Sequence, residues 1–317
     1  MRDHGGNIDR ARAAYGGADW IDLSTGINRL PYPVGTLPAE AWTALPTAEA
    51  MAGLMAAAGL AFGTEAPGVA LAGAQAAIQL VPRLAVPGRA RVLAPTYNEH
   101  AAALRAQGWQ VSEVAEPGDL EGADLAVVVN PNNPDGRHHE AADLRALAGR
   151  VGRLVVDESF ADPVPGLSVA RHAGDGIVVL RSFGKFWGLA GLRLGFAFAD
   201  ARTVAALAEM AGPWPVAGPA IAVGTRALAD DGWRRATVAR LGADAARLDA
   251  LAAGAGWRLA GGTHLFRSYE TPDALAAQAH LAGHRIWTRV FPWSARWIRL
   301  GLPGGPDEWA RLEAALA

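Results

Sequence analysis

The chain of 317 residues contains no cysteine. Disulfides and thiolate chemistry are therefore excluded, and the absence agrees with a reducing cytoplasm, the expected location. No apolar run reaches the ~18 residues needed to span a bilayer. The N-terminal MRDHGGNIDR is too polar to read as a secretory signal. Net charge is only −2. With no basic run or RNA-binding signature, neither nucleic acid nor an anionic membrane is an expected partner. Neither the P-loop phosphate motif nor a complete GxGxxG occurs, which argues against those nucleotide sites. Internal repeats and low-complexity linkers are missing as well.

What is present is core material. Apolar residues make up 51% of the chain and charged residues 19%, enough for one large domain and a smaller one. The 11 tryptophans read as core or interface anchors. Residues 1–35, broken by Gly and Pro, suggest an N-terminal arm with a short helix near Asp9 to Ala14. A helical run from Ala48 to Phe62 ends at Gly63. From there strands alternate with helices. Val69–Leu71, Arg91–Ala94, Trp109–Val114, Leu125–Val129 and Leu154–Val156 read as strands, and Glu99–Gln107 and Ala141–Arg150 as helices. This alternation predicts an α/β fold, a mostly parallel sheet with helices on both faces. A helix Ala201–Ala211 closes the domain expected over 36–212. The breaker Gly212-Pro213-Trp214-Pro215 suggests a boundary, and 213–317 reads as a smaller α+β domain that opens with a long helical region, Pro219 to about Ala253.

The stretch RSFGKFWGLAGLRLGFAF, Arg181 to Phe198, organises the rest. Lys185 lies in a tight loop between two apolar runs that read as buried strands, with Ser182 before it and Arg193 after it as anion ligands. Its most economical role is to hold pyridoxal phosphate (PLP) as a Schiff base, although a lone lysine there would read as a surface ion pair. NPNNPDG (Asn130–Gly136) makes a rigid turn after one strand. Asp157 ends another, where a carboxylate can keep a pyridine nitrogen protonated and the ring an electron sink. Gly73 opens a helix after a strand, an arrangement suited to phosphate. Tyr97, Asn133, Asp157 and Lys185 all fall at carboxyl ends of strands, where α/β sheets bind ligands. His280 and His284 lack a third metal ligand, and His138 and His139 read as surface, so no metal is expected.

NPNNPDG, VVDESF and SFGKFWGLAGLRLGF resemble the fold-type-I PLP enzymes, in the branch of the histidinol-phosphate aminotransferases. HGGN and LSTGIN narrow the resemblance to the threonine-phosphate decarboxylases of cobalamin biosynthesis. It implies that Lys185 binds the cofactor aldehyde and shuttles protons, and that Asp157, backed by His100, pairs with the ring nitrogen. Asn133 bonds the ring 3′-oxygen and Tyr97 stacks on the ring. Gly73, Ala74, Gln75, Ser182 and Arg193 hold the cofactor phosphate. Arg299 clamps the substrate carboxylate, and His4, Gly26, Asn28 and Arg289 lie near the substrate's anionic ends. Two positions depart from the pattern. Phe160 replaces a frequent Tyr that reaches the 3′-oxygen, and Leu45 replaces a Tyr that reaches a partner subunit's cofactor phosphate. A homodimer is still implied, acting on a small phosphorylated amino acid. The implied reaction is decarboxylation of L-threonine O-3-phosphate; histidinol-phosphate transamination is the alternative, and a cofactor-binding sensor without turnover is a third reading.

Overall fold

A computed structural model describes residues 4–317. The chain divides into two compact units. One comprises the described residues through Pro31, Pro134–Arg137 and Arg234–Ala317; the other comprises Tyr32–Asn133 and His138–Trp233. The boundary expected after residue 212 therefore falls too early. Gly212, at φ 75°, does end the helix Ala201–Ala211. The chain then returns to the larger unit as the helix Gly218–Ala229, which packs on the helix Ala48–Phe62. Gly224 permits the close approach: a Cβ there would lie 2.6 Å from Leu194 and 3.1 Å from Leu54. The expected arm likewise ends early, because Tyr32 belongs to the larger unit. Its N–H donates to the Trp187 carbonyl at 2.9 Å, and its ring meets Trp233 edge-on at 5.3 Å.

The first strand, β1 (Ile21–Asp22), belongs to the smaller unit. The larger unit is built on β2 (Gly68–Leu71), β3 (Arg89–Leu93), β4 (Gln110–Val114), β5 (Leu125–Val129), β6 (Leu154–Asp157), β7 (Ile177–Ser182) and β8 (Gly195–Phe198). Their order in the sheet is β2-β8-β7-β6-β5-β3-β4. Every residue of β5 and β6 is buried, as continuous apolar runs covered by helices on both faces demand. Strands β3 to β7 pair in parallel, while β8 runs antiparallel to both β7 and β2. The sheet is thus mostly parallel, as the alternation of strands and helices predicts. Helix Ala48–Phe62 has the ends its sequence specifies: Thr47 accepts the Ala50 N–H at 3.1 Å, and Gly63 takes the left-handed conformation at φ 64°.

The long helical region expected from Pro219 is two helices. They break at Asp230, whose carboxylate accepts the Trp233 N–H at 2.9 Å and so starts Asp231–Gly254. In the smaller unit, β9 (Arg258–Thr263), β10 (Phe266–Glu270), β12 (Arg289–Phe291) and β13 (Ser294–Gly301) form an antiparallel sheet ordered β12-β13-β10-β9. The short β11 (Ile286–Trp287) pairs in parallel with β1. A final helix, Pro306–Leu316, was not among the expected elements. Its signal is present nonetheless, with Pro at the first helical position and Asp307 and Glu308 in the first turn.

Candidate active site

In the larger unit, polar side chains gather at the carboxyl ends of the parallel strands. Asp157 is the last residue of β6 and Ser182 the last of β7, and Lys185 lies on the helical turn Phe183–Phe186. One cavity is lined by all the residues expected there: Gly73, Ala74 and Gln75, then Tyr97 and Asn133, then Asp157, and finally Ser182, Lys185 and Arg193. Phe160 lines it too, its ring centroid 5.8 Å from Lys185 Nζ. At this departure from the family pattern, an apolar face replaces a hydroxyl donor.

Asp157 is only 2% exposed. Its Oδ2 lies 2.8 Å from His100 Nε2, and its Oδ1 accepts from Ser159 N–H at 3.0 Å and from Ser159 Oγ at 2.5 Å. Burial alone would raise this carboxyl. The His100 hydrogen bond and charge, with the two Ser159 donors, outweigh burial and hold Asp157 below the usual carboxylate range. The group therefore stays ionised in a dry setting, as a partner for a basic ring nitrogen must. Ser159 goes unmarked in the sequence reading. Its only signal is its place two residues after an acidic strand end, where a hydroxyl can turn back on the carboxylate.

His100→Phe should remove a buried donor and lower stability at neutral pH by about 1–3 kcal/mol. The sign of the pH dependence follows from the depressed pKa. Asp157 contributes stability above its unfolded pKa, near ~4, and this is lost as pH falls through the lower folded value. Without His100 the folded pKa rises, so the acid-side loss begins at higher pH. Denaturant unfolding over a pH series tests this; superimposable acid limbs for the two proteins would contradict it.

A cradle suited to an anion lies at the start of the helix Ala74–Leu80. Gly73, at φ 81°, leaves space that a Cβ would close to 2.8 Å from Arg193 Nη2. A Cβ at Gly195 would lie 2.3 Å from the Ala74 nitrogen. Arg193 itself takes the left-handed conformation, φ 53°, and its Nη1 donates to the Ala190 carbonyl at 3.3 Å. Glycine thus keeps both backbone and guanidinium within reach of an anion. This donor set, with an ionised carboxylate and a lysine in the same cavity, fits a cofactor that has a basic ring nitrogen, an electrophilic carbon and an anionic tail. Tyr97 is fixed by a hydrogen-bond relay. Its hydroxyl donates to Gln75 Oε1 at 3.2 Å, and Gln75 Nε2 donates to buried Glu99 at 3.2 Å. The Gln75 side chain thus has a role besides the phosphate contact expected of that residue.

The substrate residues expected from the sequence lie in the smaller unit. Arg289 of β12 and Arg299 of β13 are directly opposed in register. Arg299 is 6% exposed, and its Nη2 donates to the Ser24 carbonyl at 2.7 Å. Burial, then the charge of Arg289, lower the Arg299 pKa, and Asp22 offsets only part of this. A buried cation beside a second cation is the electrostatic signature of a site for an anion. The two N-terminal motifs meet here, Gly6 N–H donating to Ser24 Oγ at 2.8 Å. His4 is exposed and Gly26 buried. Asn28 Oδ1 is occupied by Arg240 Nη2 at 2.7 Å and Leu30 N–H at 3.1 Å. That oxygen is part of the framework and faces donors, not an anion.

Other histidines have plain structural roles. His280 Nε2 donates to the Ala315 carbonyl at 2.7 Å. His138 is exposed, as expected, but His139 is half-buried: its N–H and carbonyl bond the Asn130 side chain at 2.8 and 3.0 Å. It locks the turn that follows β5.

The chain is 46% identical to threonine-phosphate decarboxylase of Pseudomonas aeruginosa, an alignment covering 100% of this chain and 97% of the relative. It is 43% identical to the enzyme of the same name from a Sinorhizobium species, covering 99% and 97%. The solved structure of histidinol-phosphate aminotransferase from Sinorhizobium meliloti in complex with pyridoxal-5′-phosphate shares the fold. Its TM-score is 0.84 at 18% identity, covering 97% of this chain and 93% of that one. Residues 44–312 match the family model described as aminotransferase class I and II, a span that holds the lysine turn, the Asp157–His100 pair and the opposed arginines alike; the chain belongs to that family.

Proposed function

We propose that this protein is a PLP-dependent decarboxylase that converts L-threonine O-3-phosphate to (R)-1-aminopropan-2-yl phosphate and CO2 in cobalamin biosynthesis. The observation that bears most weight is identity of 46% and 43%, over essentially the whole chain, to two enzymes of that name. Bound PLP supplies an electron sink for the pair released when a Cα bond breaks. In this reading Lys185 is the amine that holds the cofactor aldehyde. Asp157 would keep a proton on the ring nitrogen, Asn133 would donate to the ring 3′-oxygen, and Tyr97 would cover the ring. Ser182, Arg193 and the backbone of Gly73, Ala74 and Gln75 take its phosphate.

The outcome would depend on which Cα bond the residues that grip the substrate's charged ends orient for cleavage. In this reading Arg299 would anchor the carboxylate of phosphothreonine, and Arg289, with His4 and the Asn28 amide N–H, its phosphate. Once CO2 has left, Lys185 Nζ delivers a proton to Cα. The opposed arginines support a doubly anionic substrate over histidinol phosphate, which has no carboxylate. The same reading places the enzyme in the cytoplasm as a homodimer.

Holoenzyme incubated with phosphothreonine should release CO2 without any keto acid. Turnover confined to histidinol phosphate plus 2-oxoglutarate would select transamination instead. Inertness toward both would leave the sensor reading.

A further inference from the structure

The face of the β12–β13 hairpin carries more than its two arginines. Arg289 lies over the Phe291 ring, 5.6 Å from guanidinium carbon to centroid. Phe291 stacks on Trp293 with centroids 5.1 Å apart and planes 29° from parallel. Trp293 meets Trp297 edge-on at 5.5 Å. Arg299 has its own aromatic partner, Phe266, at 5.1 Å. Each member of a like-charged cross-strand pair, an arrangement that is repulsive by itself, therefore has a ring beneath it. The register shift between Val290 and Phe291 leaves Phe291 opposite Ser294 and not opposite a bulky residue. This leaves the ring room to lie between Arg289 and Trp293.

We infer that the stack Phe291–Trp293–Trp297 positions Arg289 for the substrate's phosphate, and that Phe291 is thereby a specificity-determining residue for phosphorylated over phosphate-free amino acids. The inference rests on the decarboxylase reading for the identity of the substrate, but not for the ligand chemistry: a phosphate monoester or free phosphate offers Arg289 the same oxygens. A cation over an aromatic face at a partly exposed site contributes about 0.5–1 kcal/mol. That sets the expected effects, since it corresponds to roughly a two- to fivefold change in binding. Trp293, 53% exposed, also gives the stack its own optical reporter.

The test uses the PLP-loaded enzyme, so that the cofactor's phosphate cradle is filled. Inorganic phosphate is titrated against tryptophan fluorescence, and KM and kcat are measured with phosphothreonine. In Phe291→Leu the phosphate Kd and the phosphothreonine KM should rise together, roughly two- to fivefold, with kcat within about twofold of wild type. Phe291→Tyr, which keeps the ring, should restore both. In an Arg289→Gln background, Phe291→Leu should have no further effect, because a double-mutant cycle isolates the pair. An unchanged phosphate Kd in Phe291→Leu overturns the inference, as does failure of the tyrosine variant to rescue or an equal loss in the Arg289→Gln background. If wild type binds phosphate in a Phe291-dependent way yet does not decarboxylate phosphothreonine, the decarboxylase reading fails and the positioning role stands.

Discussion

Lys185→Ala should abolish the visible absorption of the holoenzyme and nearly all turnover. On the proposed mechanism the variant loses two things at once. One is the amine to which the cofactor aldehyde attaches. The other is the base and acid that moves a proton at Cα, a role that alone contributes roughly 10²–10⁴-fold. Among the described residues no second lysine lines the cavity. Borohydride reduction followed by peptide mass mapping gives the matching positive result: in wild type the label should fall on the peptide containing Lys185, and in the variant no peptide should carry it. Label at another residue, or a variant that retains more than a few per cent of activity, would remove the foundation of the catalytic assignment. Apo protein should keep its fold in this variant, because Lys185 is partly exposed and lies on a single helical turn.

The largest expected loss of stability comes from a residue that does not line the cavity. Arg181 is 3% exposed and bridges two buried carboxylates, donating to Glu158 at 2.8 Å and to Asp162 at 2.6 Å. Its guanidinium also lies 4.2 Å from the centroid of the Phe62 ring. Glu158 is held further by Ser168 Oγ at 2.6 Å and the Val169 N–H at 2.6 Å. Burial pushes the Glu158 carboxyl up, and Arg181 is the largest influence opposing it. Arg181→Met keeps the volume but strands two acids in the interior, at a cost of about 3–5 kcal/mol. The triple variant Arg181→Met, Glu158→Gln, Asp162→Asn should recover most of that, since a buried ion network replaced as a whole is often near neutral. Denaturant midpoints of the two variants decide the point. If the triple variant is no better than the single one, the loss comes from packing against Phe62 and not from the orphaned charge. The network also ties Glu158, which follows Asp157, to Arg181, which precedes Ser182. It holds the two strand ends of the cavity in register.

Much of this was legible in sequence because the information is local. Leu125–Val129 and Leu154–Val156 are apolar at every position, and a strand covered on both faces has to be. The helix Ala48–Phe62 is delimited by a threonine cap and a left-handed glycine. The cofactor cavity was legible for a different reason. Its residues fall at strand ends, and an α/β sheet brings strand ends together whatever lies between them.

What was missed depends on contacts distant in sequence. Nothing around Gly212-Pro213-Trp214-Pro215 shows that the next helix will pack against residues 48–62, and the boundary near residue 233 follows from that packing alone. Ser159 and the Arg181 network look like ordinary polar residues until the interior closes around them. The opposition of Arg289 and Arg299 depends on a register with a bulge in it, and no periodicity encodes a bulge.

The antiparallel β8 has a consequence for the newly made chain. β2 stands at the sheet's edge and its sole neighbour is β8, whose residues, 195–198, leave the ribosome far later than 68–71. During synthesis the first strand of the sheet must wait unpaired while β3, β4 and β5 can already zip together. A pause in translation before residue 198 would leave an exposed strand edge open to neighbouring nascent chains.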